Sequence, residues 1–122
     1  MRRQEFEQLV AEALDALPRP LRKSMRNIAV MVETAPSRAL LEAMDLWPDQ
    51  TLLGLYQGVP LPERGHHYGN VLPDHITIFQ QPIEAFYRTP EEMKAAVCET
   101  VIHEVAHYFG LDDARIDELM EP

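Results

Sequence analysis

The segment from Thr89 to Gly110 constrains the fold more than any other, because it carries helix signals at both ends. Thr89 can cap, Pro90 takes the first helical position, and Glu92 stands three residues after the cap to complete a capping box. Gly110 is placed to close the helix in a left-handed conformation, so the pattern predicts one helix from about Pro90 to Phe109. On its wheel Cys98, Val101, Ile102, Val105 and Phe109 form an apolar arc opposite His103 and His107. The apolar arc is the core side, predicted to pack on a sheet, and the histidine face opens to a cleft.

The remaining elements follow from periodicity. Phe6, Leu9, Val10, Ala13, Leu14 and Leu17 recur at helical spacing and predict an amphipathic N-terminal helix, ended by Pro18 and Pro20. The short apolar run Asn27 to Val32 predicts a buried strand, and Pro36-Ser37 opens a short helix through Met44. Thr51 to Tyr56 and His75 to Phe79 are two further strands, separated by a proline- and glycine-rich loop from Gly58 to Pro73. A last short helix runs from Asp112 or Asp113 to Met120.

At 122 residues the chain is expected to form a single domain, residues 1–122, with one core. Its single cysteine, Cys98, excludes an internal disulfide and a cysteine-rich zinc site. We read Cys98 as a core thiol. No apolar run reaches the roughly 18 residues of a membrane span, and the N-terminus lacks the apolar stretch of a signal peptide. A cytoplasmic protein with no membrane partner is expected. The formal charge of −9 argues against nucleic acid as a partner, unless a local basic patch overrides it. Neither composition nor charge speaks to oligomeric state.

Within the long helix lies His103-Glu104-Val105-Ala106-His107. Histidines four residues apart project from one helix face and can grip one ion. Zinc accepts neutral imidazole nitrogen, and a catalytic site needs three protein ligands plus an open position. Glu104 lies roughly 100° further round the helix, beside the ion, where it can serve as general base toward the attacking water. His103 and His107 are therefore candidate Zn2+ ligands, and Glu104 the candidate catalytic residue.

Asp113 is the third ligand by its place in the longer pattern H-E-x-x-H-x-x-G-x-x-D, with Gly110 as the turn. The alternative is that Asp113 or Asp112 only caps the last helix, and both hold if Asp112 caps while Asp113 ligates. His66 and His67 sit in the loop and are read as solvated side chains, with a role over the cleft as the alternative. His75 is structural, and Met120 packs by its helical spacing with Ile116.

The chain resembles the short bacterial zincin-like metallopeptidases, the minimal zincins. The resemblance rests on Leu53-Gly54-Leu55-Tyr56-Gln57-Gly58-Val59-Pro60-Leu61, on Asp74-His75-Ile76-Thr77-Ile78-Phe79 with Pro82-Ile83, and on His103 through Asp113. It implies an α+β fold, a small mixed sheet packed against an active-site helix and an N-terminal helix. It also implies that His103, Glu104, His107 and Asp113 occupy the family's site positions, and that peptides or proteins are the substrates. With nine residues after Asp113, the C-terminal subdomain and Met-turn of larger metzincins are not expected here.

Zinc-dependent peptide hydrolysis is thus the expected activity. A metal-dependent endoribonuclease is the alternative, echoed by His103, His107, Gly110 and Asp112, with Asp113 where that pattern ends in histidine. It needs a basic surface beside the cleft. A noncatalytic metal-binding or interaction module is the third reading. For a peptide substrate, the expected docking edge is the strand His75 to Phe79, with the Glu63 to Gly69 loop as a lid.

Overall fold

The computed structural model describes residues 1–46, 50–58, 74–110 and 114. The N-terminal helix α1 spans Arg3–Asp15 and buries Phe6, Leu9, Val10 and Ala13, the stripe its spacing predicts. Pro18 stops it, because the ring has no N–H to continue the ladder. Pro20 then starts a second helix, α2 (Arg19–Ser24), which the sequence reading missed by treating both prolines as terminators.

Strand β1 (Ile28–Glu33) alternates half-buried and exposed residues, so it is an edge rather than the buried strand its apolar run predicted. Its exposed face carries Ala29 and Met31, apolar in type but left in solvent. Helix α3 (Arg38–Ala43) is capped by the Ser37 hydroxyl, which accepts the Leu40 N–H at 3.1 Å. Strand β2 (Gly54–Gln57) begins later than Thr51, and β3 covers Asp74–Phe79. Helix α4 (Gln80–Phe86) follows β3 directly, and α5 runs Pro90–Phe109 as its caps predict.

The sheet order is β1-β3-β2, with β1 parallel and β2 antiparallel to β3. This corrects the expectation of a free edge at His75 to Phe79. That strand is central and paired on both sides, and Ile76 and Ile78 are fully buried. A peptide cannot add to it.

Helix α5 presses Val97, Val101 and Val105 into the core against α1 and β3. Cys98 belongs to that side, as its wheel position predicts: it is half-buried, its Sγ donates to the Ala13 carbonyl at 3.3 Å, and burial pushes its thiol pKa up. Lys94 and Glu12 close the same seam at 2.6 Å. The result is an α+β fold, a small mixed sheet packed against a long helix, with the N-terminal helix behind it. No helix among the described residues is long and apolar enough to cross a membrane. Residues 59–73 of the expected loop and the whole expected last helix, except Ala114, lie outside the described residues.

Candidate metal centre

The capping box of α5 forms as read: the Thr89 hydroxyl accepts the Glu92 N–H at 3.2 Å, and Glu92 accepts the Thr89 N–H at 3.1 Å. At the other end Gly110 adopts φ 64° and ψ 34°, a left-handed conformation that residues with a Cβ take only at a cost. The helix therefore has fixed ends, and its last turns carry the candidate site. The buried valines on one face set the rotation of the other.

On the opposite face His103 and His107 are exposed, with ring centroids 5.8 Å apart and planes tilted by 35°. Glu104 is half-buried and held from outside the helix. Its Oε1 accepts the backbone N–H of Tyr56 at 2.7 Å. The register explains why that donor is free: Leu53 accepts the Phe79 N–H, so alternate residues of β2 face β3 and Tyr56 faces away from it. The edge of β2 thus meets the histidine-bearing helix and supplies a fixed donor to Glu104.

Gly54 makes that approach possible. A Cβ there would stand 2.5 Å from the Thr100 methyl and 3.1 Å from the Thr77 carbonyl. Only a residue without a side chain lets β2 lie this close to α5. Further along, Tyr56 stacks on Tyr108 of α5, with centroids 4.1 Å apart and planes 17° from parallel. The Tyr56 hydroxyl donates to Asp74 Oδ2 at 2.7 Å, and burial together with that bond pushes the phenol pKa well above the tyrosine range. Asp74 is itself buried at the start of β3.

Tyr56, Tyr108 and Asp74 were not singled out in the sequence. Tyr56 and Asp74 stood only within the segments that carry the family resemblance, and no local signal showed that they would meet. His75 pairs with Gln57 across β2 and β3 at 2.8 Å, a structural contact as expected. A groove of about 620 Å³ opens beside the helix, walled by Leu52, Leu53, Ile102 and Ala106, with His103 and Glu104 on its lining.

The two imidazoles fit zinc by donor type and by sharing one face, which is what the ion requires of a helix. Among the described residues no third histidine, cysteine or carboxylate joins them. Asp113 and Asp112 lie outside the described residues, as do His66, His67 and Met120.

A conserved hypothetical protein from Thermus thermophilus has a similar fold: TM-score 0.57 at 21% identity, covering 89% of this chain and 94% of that one. No curated protein matches the chain significantly. The model of one family, described as zincin-like metallopeptidase, matches residues 25–121 and so takes in both β2 and the histidine helix. The chain belongs to the zincin-like metallopeptidase family.

Proposed function

We propose that the protein is a zinc-dependent peptidase in which His103, His107 and Asp113 hold the metal and Glu104 is the general base. The observation that carries this is the anchoring of Glu104: one carboxylate oxygen is fixed by Tyr56, and among the described residues the other has no partner. A carboxylate held at one oxygen is oriented, and its second oxygen is available to take a proton. A bound zinc ion would supply Lewis acidity to polarise the scissile carbonyl.

The chain's own residues do the rest. The wall of Leu52, Leu53, Ile102 and Ala106 suits an apolar side chain next to the scissile bond. Glu104 takes the proton of the attacking water and passes it to the departing amine, so the carboxylate returns to its starting state. Docking by strand addition is restricted, because β3 is central and the outward N–H of Tyr56 on β2 already serves Glu104. Peptides or proteins are the substrates, and the cytoplasm, where Cys98 stays a free thiol, is the compartment we assign.

The endoribonuclease reading has one observation in its favour: cations do border a cavity that shares Tyr56 and Tyr108 with the site. The family and the anchored Glu104, which that pattern does not need, favour the peptidase. Elemental analysis and a peptide-library digest test the assignment. His103→Ala and His107→Ala should each lose zinc, while Glu104→Gln should keep zinc and lose turnover by about 10² or more. Asp113→Ala should weaken zinc binding more than Asp112→Ala. Full metal content in both histidine variants, or undiminished cleavage by Glu104→Gln, overturns the proposal.

A further inference from the structure

The chain is acidic, yet residues 16–32 contain four cations, Arg19, Arg22, Lys23 and Arg26, and no carboxylate. That leaves seven cations against twenty carboxylates elsewhere. All four side chains belong to exposed residues of α2 and the turn after it. None of them pairs with a carboxylate among the described residues, whereas Arg2, Arg38 and Lys94 all do.

Lys23 and Arg26 also line a cavity of about 350 Å³ whose other walls include Asn27, Tyr56, Asp74 and Tyr108. Arg19 lies one turn before Lys23 on the same face of α2, and Arg26 follows in the turn after the helix. The two tyrosines set the cavity beside the candidate site. Tyr56 gives its N–H to Glu104, and Tyr108 follows His107 in the chain.

We propose that this basic rim and its cavity dock an acidic stretch of the peptide substrate, alongside the bond to be cut. The occupant being a peptide rests on the peptidase reading; the need for negative charge rests on the patch alone. A short acidic segment places its carboxylates within about one Debye length, ~10 Å, of the four cations. A long polyanion would extend past the patch onto a surface of the opposite balance, which is why a peptide is favoured over RNA. Asp74, a carboxylate on the same lining, is buried and hydrogen-bonded by the Tyr56 hydroxyl, while the four cations are exposed, so the solvent-facing rim carries the positive charge.

The test is fluorescence anisotropy on the full chain with three labelled probes: a short peptide alternating glutamate and glycine, its glutamine counterpart, and an oligouridylate of matched length. The glutamate peptide should bind about tenfold or more tighter than the glutamine peptide, and lose that advantage as salt rises. Lys23→Glu with Arg26→Glu should abolish the preference, whereas Arg38→Glu, a reversal of equal sign on α3, should leave it within about twofold. Equal binding of the two peptides, equal loss in the Arg38 variant, or tighter binding of the oligouridylate overturns the proposal. Cleavage by the zinc-loaded protein is scored separately. Charge-selective peptide binding without cleavage would sink the activity and leave the docking surface standing.

Discussion

Single atoms decide how the candidate base is held. The missing Cβ of Gly54 is what allows β2 to reach α5, so Gly54→Ala should push the strand back from Thr100 and loosen the Tyr56–Glu104 bond. Overpacking of this kind costs about 1–3 kcal/mol. Thr100→Ser removes the nearest obstructing methyl while keeping the hydroxyl that bonds the Ala96 carbonyl. The double variant should recover part of the loss in chemical denaturation, and the same order should hold for turnover. At Tyr56 the phenol pKa is raised in the folded state, so its contribution is intact below the unfolded value of about 10 and is lost as pH climbs beyond it. Tyr56→Phe should cost about 1 kcal/mol at neutral pH, and the gap to the wild type should narrow in urea titrations above about pH 10. These residues also mark the limit of legibility in the sequence. His103, Glu104 and His107 are readable because their spacing lies within one helix, whereas the Tyr56 contact joins residues far apart in the chain and depends on which backbone groups the sheet leaves free.

Elements were legible wherever both boundary and period are local signals. Helix α5 follows the reading from Thr89 to Gly110 because caps act on the nearest turn of backbone. Thr89→Ala should therefore lower stability by about 1 kcal/mol without altering zinc content, as thermal unfolding and elemental analysis would show. The strands were found, but not their order. An apolar run reads alike in an edge and in a centre, and only partners decide, so β1 turned out half-exposed and β3 fully paired. Helix α2 escaped notice for a different reason: a proline suits the start of a helix as well as its end.

Across the whole molecule the apolar interior is shared between the first helix and the fifth. Phe6 is fully buried in it, together with Val97, Val101 and Val105. Phe6→Ala should cost about 3–5 kcal/mol. Zinc affinity should fall with it, because the valines that Phe6 packs with lie on the helix that presents His103 and His107. Thermal melts with and without zinc would detect both effects, and a fully stable variant would mean that α1 is dispensable.

The seam between α1 and α5 also governs when the protein can become itself. The contact from Cys98 to Ala13 spans 85 positions of sequence, so a nascent chain that has made α1 lacks the main partner of its apolar stripe until α5 has left the ribosome. Loops of that size close late. The helix that buries the stripe is the one that bears the histidines, so burial of the stripe and placement of the histidine face become a single event in time. During synthesis the face that carries His103 and His107 therefore takes its place only as the core itself closes.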